Sequence, residues 1–315
     1  MQFWSKNVAT TQQVGVLLFE GFSNHCLANT VEPMRAANTL AGRTLYDWRF
    51  LTLDGYPLSS SSGLVVSPHG RLADHNGDLL VVMPSYGFLD HGGWATETAL
   101  RAASKRYDTL IAMDTGSWLL AAAGLLEGYR ATIHWEELFR FSERFPEIET
   151  VRERFVVDRD RITCSGAMAA FDLVTGLIAE THGQALALEV RQMFMTPGSP
   201  RSHSGGGSPT SRSLNKALAI MQEHLEDPLP IGEVARRAGR TQRALESRMV
   251  AELGAPPVRV YKRLRLNLAR KLVLETDLSV REIAVRSGYT DPAAMTRAFK
   301  TEFGVAPRDL RRIRD

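Results

Sequence analysis

The first part of the chain alternates apolar runs with amphipathic ones. VGVLLF (14–19), WRFLTL (48–53), DLLVVMP (78–84) and DTLIAM (108–113) have strand length, and helix-like segments such as CLANTVEPMRAAN and WATETALRAASKR lie between them. Continuous apolar strands separated by helices predict an α/β domain with a mostly parallel sheet and helices on both faces. Ligands in such folds bind beyond the carboxyl ends of the strands.

The last hundred residues have a different period. IGEVARRAG (231–239) and VREIAVRSG (280–288) both place apolar residues one turn apart, then an Ala, then a Gly four residues later. Amphipathic runs follow and close on AELGAPP (251–257) and TEFGVAP (301–307). A small Ala lets two helices cross closely and the Gly makes the turn between them, so the pattern predicts an all-α domain with two helix-turn-helix motifs. The basic segment PVRVYKRLRLNLARKLVLET between them predicts a helix of about 18 residues, about 27 Å long at 1.5 Å per residue. Two reading helices held by such a spacer would lie roughly one DNA turn, about 34 Å, apart.

Between the two patterns, TPGSPRSHSGGGSPTSRS reads as a flexible linker. The expected domains are therefore 1–195 and 213–315, joined by 196–212. Charge sharpens this division. Of 38 Lys+Arg and 35 Asp+Glu in the chain, residues 213–315 carry 20 and 13, a net +7, and the remainder carries 18 and 22, a net −4. A basic module tethered to a mildly acidic one points to an anionic partner for the second part alone, with double-stranded DNA the leading choice.

With 44% apolar and 23% charged residues the composition is that of a globular protein. No apolar run approaches the roughly 18 residues of a spanning helix, and MQFWSKNVATTQQ lacks a signal-peptide pattern, so the expectation is a cytoplasmic protein with no membrane partner. Cys26 and Cys164 are the only cysteines, far apart in the sequence, and imply neither a disulfide framework nor a metal site. No cofactor is expected.

The stretch LIAMDTGSWLLAAAGLL (110–126) runs from an apolar strand through Asp-Thr-Gly into an Ala/Leu-rich helix. Strand, tight turn and helix make an elbow of the kind that presents a nucleophile, with Asp114 at its tip. A carboxylate there could cap the helix, as could Thr115, for about 1 kcal/mol; its place at a sheet end favours ligand contact.

The segments GFSNHCLANTVEPMRAAN (21–38), DTGSWLLAAAGLLEGYRATIHW (114–135) and ITCSGAMAAFDL (162–173) resemble the PfpI peptidase and class I glutamine-amidotransferase-like superfamily. RLRLNLARKLVLETDLSVREIA and GYTDPAAMTRAFKTEFGVAPRDLR resemble the AraC/XylS transcriptional regulators over nearly all of 213–315. The first resemblance implies an elbow Cys assisted by a Glu on the helix after the first strand; Glu32 matches that Glu, while Asp114 stands in place of the Cys. A carboxylate cannot form a thioester, so the elbow is expected to serve recognition rather than catalysis, and the chain is expected not to be an enzyme.

Two converging carboxylates would repel unless a cation lay between them, and aromatic faces attract ammonium groups. Glu32, Asp114, Trp118, His134 and Trp135 are therefore the expected ligand contacts, and Tyr86, Phe88 and Trp94 adjoin the same strand ends. The elbow DTG with ATIHW resembles sensors of amine and amino-acid metabolites, which implies a betaine-, carnitine- or arginine-like effector. Glu32 could instead be structural, before a Pro33 expected to bend or break its helix. The second resemblance implies that 241–252 and 292–302 read DNA. Leu245, Met249, Met295 and Phe299 would then face inward. Thr241, Gln242, Arg243, Glu246 and Ser247 would face outward from the first, and Ala293, Thr296, Arg297 and Lys300 from the second. Arg243 and Arg297 suit bidentate pairing with guanine. Ala294 stands where the family often has a polar residue, which implies a weaker second readout.

The expectation is thus a ligand-responsive transcription factor, dimeric through its first domain and engaging RNA polymerase if an activator. A thiol amidase or peptidase using Cys164, tethered to DNA, is one alternative; a constitutive DNA-binding protein whose first domain only dimerises is another.

Overall fold

The computed structural model describes residues 10–194 and 212–314. Contacts divide it into two compact units, Met1–Thr39 with Arg43–His182, and Leu40–Gly42 with Gly183–Asp315. Of the expected linker only Arg212 is described, as the first residue of a helix; residues 196–211 lie outside the described residues.

The first unit opens with β1 (Gln12–Leu18), α1 (Asn24–Ala41) and β2 (Tyr46–Thr52), then the short strands β3 (Leu58–Ser59), β4 (Val65–Val66) and β5 (Gly70–Arg71). It continues with β6 (Gly77–Met83), α2 (Trp94–Ala103), β7 (Tyr107–Met113), α3 (Gly116–Ala122), β8 (Arg130–Ala131), α4 (Leu138–Arg144) and β9 (Glu149–Thr150). It ends with β10 (Phe155–Asp158), β11 (Arg161–Cys164) and α5 (Ala167–His182). Seven strands form one sheet in the order β10-β11-β7-β6-β1-β2-β5. Every pairing in it is parallel except β10 with β11. The four strands legible as apolar runs are β1, β2, β6 and β7; the last five residues of β1, β6 and β7 are buried, as a sheet covered on both faces requires. The helix α1 runs without interruption through Pro33, contrary to the expected break.

The second unit is helical: α6 (Gln184–Phe194), α7 (Arg212–Glu223), α8 (Ile231–Arg237), α9 (Gln242–Leu253), α10 (Pro257–Glu275), α11 (Val280–Arg286), α12 (Pro292–Phe303) and α13 (Pro307–Arg314). The duplication is structural. Ala235 and Ala284 are fully buried at the two helix crossings. At the second turn Gly288 has φ +75°, and a Cβ there would lie 2.5 Å from the Leu225 carbonyl oxygen, so no other residue fits without displacing backbone. The second motif starts on a capping box, Ser279 with Glu282, and α12 is capped by Asp291, which accepts from the N–H groups of Ala293 and Ala294.

α10 serves two cores. Tyr261 and Leu264 join the first, with Leu245, Met249 and Val234; Leu266, Ala269 and Val273 join the second, with Ile283, Met295 and Phe299. Arg265 ties the second turn to α10, donating to the carbonyls of Ser287 (2.8 Å) and Gly288 (2.5 Å) and covering the Tyr289 ring. The expected domain boundary at 195 falls elsewhere: α6 clusters with the second unit, because Leu188 packs on the first helical core and Glu189 pairs with Arg263.

Candidate functional site

β7 delivers the chain to Asp114, which has φ +61°, a left-handed conformation that costs an L-residue about 1 kcal/mol or more. Ser85, just past β6, is a second such residue at φ +57°. The elbow is held tightly: Thr115 Oγ1 donates to the Ser85 carbonyl at 2.7 Å, and a Cβ on Gly116 would lie 2.4 Å from the Val82 carbonyl oxygen. Thr115 stands at the N-cap of α3 but makes no side-chain capping bond, so capping does not account for the Asp-Thr pair.

The ATIHW segment is pinned against the elbow. Ser117 Oγ donates to the Thr132 carbonyl (2.6 Å), Thr132 N–H donates to Thr163 Oγ1 (2.9 Å), and His134 N–H donates to the Asp114 carbonyl (3.1 Å). His134 Nδ1 lies 3.7 Å from Glu136 Oε2. Burial raises the Asp114 carboxyl pKa above its ordinary value; the Ser85 hydroxyl and the His134 ring oppose that rise, and the Glu136 charge adds to it. Ser85 Oγ is itself buried and makes no well-aligned hydrogen bond. Gly166 closes the far side, where a Cβ would come within 3.3 Å of His134 Cδ2 and 4.0 Å of Asp114 Oδ1. With both carboxylates ionised the cluster is net negative even beside a charged imidazole.

Glu32 is not part of this cluster. It pairs with Arg35 at 2.8 Å on the flank of α1, its side chain 43% exposed; the carboxylate whose charge acts on Asp114 is that of Glu136, 62% exposed and next to the His134 ring. The reason is helix phase: Glu32 falls about 120° around α1 from Cys26, the residue whose thiol senses the Cys164 and Asp114 charges. Asn29 is the α1 residue that reaches this end of the sheet, donating to the Ala167 carbonyl at 2.9 Å. Asn29 lies about one turn before Glu32, and no sequence signal marks which of the two faces the sheet end.

Trp118 is also elsewhere. It packs among Phe88, Phe141 and Phe145 beneath the Arg140 guanidinium, which makes it part of the α3/α4 core. Trp135 is 64% exposed and lines a cavity of about 210 Å³, with Thr132, Arg152, Glu153, Arg154 and Ser165 in the same wall. Asp114 and His134 are not in that wall; His134 precedes Trp135 and Gly166 follows Ser165, so the cluster and the cavity adjoin. Arg154 is fixed by Asp172 at 2.5 Å and by the Met168 carbonyl at 2.9 Å. Tyr86 and Trp94 are exposed, at 67% and 79%.

Cys164 ends β11 fully buried, its thiol pKa pushed up to about 12 by burial. The start of α5 just beyond it would lower a thiol pKa; burial overrides that effect, and the thiol donates weakly to the Gly166 carbonyl at 3.6 Å.

In the second unit the inward residues are as expected, with Leu245, Met249, Met295 and Phe299 at most 1% exposed. Gln242, Arg243, Ser247, Ala293, Arg297 and Lys300 are exposed, and Glu246 and Thr296 half-buried. Thr241 caps α9, accepting from Ala244 N–H at 3.3 Å; Gln242 donates to Glu246 at 2.8 Å; Arg297 lies 3.6 Å from Asp291; and Thr296 Oγ1 donates back to the Pro292 carbonyl at 2.8 Å. Thr241, Gln242, Glu246, Thr296 and Arg297 thus already have intrahelical or capping partners.

Residues 234–313 match the helix-turn-helix domain family. The whole chain is similar to the HTH-type transcriptional regulator CdhR of Pseudomonas aeruginosa, 35% identical over 311 residues that cover 96% of this chain and 92% of that one. The chain belongs to the AraC family of transcriptional regulators. A solved AraC family transcriptional regulator from Pseudomonas putida is 26% identical, with a TM-score of 0.52, over 58% of this chain and all of that one. A ThiJ/PfpI family protein from Pseudomonas syringae, 22% identical with a TM-score of 0.52 over 73% of this chain and 89% of that one, shares the fold. The chain is therefore a DNA-binding regulator and not an enzyme, with a PfpI-like α/β domain ahead of its helix-turn-helix module. No helix among the described residues is long and apolar enough to cross a membrane.

Proposed function

We propose that the α/β unit is a sensor for a small cationic metabolite, a quaternary amine or amino acid of betaine-, carnitine- or arginine-like chemistry, and that its occupancy governs DNA binding by the helical unit. The observation that carries the reading is the Asp114 carboxylate, held buried in a strained conformation at the elbow, with the His134 ring and the Glu136 charge acting on it. Strain of this kind persists where the surroundings over-determine it, and it clusters at ligand sites. Negative charge there and the exposed Trp135 face suit an ammonium group, and Arg152 and Arg154 in the adjoining wall suit a ligand's carboxylate. Asp114, His134 and Trp135 keep their assigned role; Asn29 and Glu136 take the place of Glu32 and Trp118.

The DNA contacts belong to the same proposal. Arg243 and Arg297 would read bases, with Thr241, Gln242, Glu246, Ser247, Thr296 and Lys300 completing the two faces. The regulator would act as a homodimer through its first unit and engage RNA polymerase when it activates.

Thermal shift against glycine betaine, dimethylglycine, carnitine, choline, arginine and polyamines tests the sensor. A ligand at a hundredfold excess over its Kd should stabilise the folded unit by about 2.7 kcal/mol. Asp114→Asn should abolish the shift and Glu32→Gln should leave it. Stabilisation by neutral or anionic metabolites alone would make the carboxylates structural.

A further inference from the structure

The helix α6 lies before the matched helix-turn-helix region, yet it contributes a buried carboxylate to the DNA-binding unit. Glu189 is 9% exposed, and its Oε1 lies 2.6 Å from Arg263 Nε on α10. The same guanidinium reaches Glu302 on α12, Nη1 to Oε1 at 3.3 Å. One cation therefore joins three helices.

Its place on α10 gives that junction leverage. Arg263 is next to Leu264, which belongs to the first helical core, and three residues before Leu266, which belongs to the second. The bridge to Glu302 thus fastens α12 at the point where α10 passes from one motif to the other. Without Glu189 the guanidinium would lose the buried half of its compensation and be free to turn toward solvent or toward Glu302 alone.

The network is also incompletely satisfied. The Asn267 side chain of α10 also lies within hydrogen-bonding reach of Glu189, yet Glu189 Oε2 and Asn267 Oδ1 have no aligned partner among the described residues, and the 2.6 Å contact to Arg263 lacks hydrogen-bond alignment. A buried polar network that is only partly satisfied holds its elements less firmly than an apolar contact of the same size, and each such group in a native structure calls for an explanation. An element meant to be set and released fits that description. α6 follows α5 across a single residue, Gly183, at φ +93°, and α5 begins at Ala167, whose carbonyl receives Asn29 at the elbow end of the sheet.

We propose that Glu189 is a positioning residue for DNA recognition: through Arg263 it holds Glu302, and with it α12, in the setting needed to read the second half of the operator. α6 is then the covalent route by which the sensor reaches that setting. The inference rests on the reading of α12 as a DNA-contacting helix.

The test uses the full chain and a duplex selected from a random pool for tight binding by the wild type, together with a second duplex scrambled in the half that α12 protects. Footprints and affinities are measured for Glu189→Gln, for Glu302→Gln, which breaks the other arm without touching α6, and for the pair Arg297→Ala with Lys300→Ala. Both single variants should lose protection in the second half only. They should bind the intact duplex about tenfold more weakly, match the wild type on the scrambled one, and keep the wild-type melting temperature to within a few degrees. Glu189→Asp should recover part of the loss. Equal weakening on both duplexes, or none, overturns the proposal. If the Arg297/Lys300 pair leaves second-half protection intact, α12 does not read DNA and the proposal falls with that reading. If the pair removes protection and Glu189→Gln does not, only the proposal fails.

Discussion

The backbone N–H of His134 is bonded to the carbonyl of Asp114 at 3.1 Å, so the elbow and the loop that carries Trp135 are one mechanical piece. A ligand that contacts Trp135 also bears on the strained residue at the sheet end. This coupling separates the two tryptophans of the region, which sequence alone placed together.

Trp118 and Trp135 should respond oppositely to substitution. Trp118→Ala should lower unfolding free energy by about 3 kcal/mol, the usual cost of emptying an aromatic site in a core, and leave the effector-induced thermal shift intact. Trp135→Ala should change stability by no more than about 0.5 kcal/mol and abolish the shift. Urea unfolding with and without effector distinguishes them; a lost shift in Trp118→Ala alone would return that residue to the site.

Asp114 should make stability depend on pH. Its folded-state pKa is raised above the ordinary 3.8, chiefly by burial. Its contribution is therefore fully present below about 3.8 and is lost as pH rises through the raised value. Measured from pH 4 to 7, the stability of the wild type relative to Asp114→Asn should fall with rising pH. A cationic effector should bind more tightly over the same window, as the carboxylate forms. A relative stability that rose with pH would place the folded-state value below the ordinary one.

Cys164 should be inert. With its pKa pushed up to about 12, only about one thiol in ten thousand is ionised at pH 8. Alkylation by iodoacetamide should proceed no faster than unfolding exposes the residue, and Cys164→Ser should retain effector-dependent DNA binding. Rapid modification of the native protein would reopen thiol chemistry.

Arg243 should discriminate among sequences. Arg243→Ala should lose about 1 to 3 kcal/mol on the preferred duplex and little on random DNA. The affinity of the wild type should fall steeply with salt, each neutralised phosphate adding about 0.9 to the logarithmic slope. Fluorescence anisotropy on both duplexes reads the difference; an equal loss on each would assign Arg243 to a phosphate.

The parallel sheet was legible because β1, β6 and β7 are buried on both faces and so read as unbroken apolar runs, and the two motifs because duplication repeats its own check. What escaped depended on three-dimensional phase. Glu32 and Asn29 are three residues, about 60°, apart around α1, and the rotation of that helix against the sheet, which the sequence does not report, decides which of them reaches the elbow end. Trp118 stands four residues after Asp114, but α3 turns it into the Phe141 and Phe145 cluster. Glu136 was hidden by proximity to His134, since sequence neighbours carry no sign of sharing a site. β10 is a four-residue strand whose burial alternates irregularly, too short for periodicity to separate from a loop. α6 looked like the end of the first domain because the Gly/Ser/Pro segment follows it, whereas side-chain packing, which composition does not report, assigns it to the second.

α10 carries one core on each half of its length, and this gives it a metric role. Every residue between Leu264 and Leu266 sets both a distance and an angle, about 1.5 Å of rise and 100° of rotation. Inserting one residue there would swing the second motif more than a quarter turn about the helix axis, away from the DNA face of the first. Inserting about one full turn would nearly restore the angle and lengthen the span by about 5.4 Å. On the proposed reading of α9 and α12 as the two DNA-contacting helices, the spacing of half-sites that this regulator accepts is ruled in units of one α-helix, and the tolerance of an operator to added base pairs measures how stiffly that ruler is held.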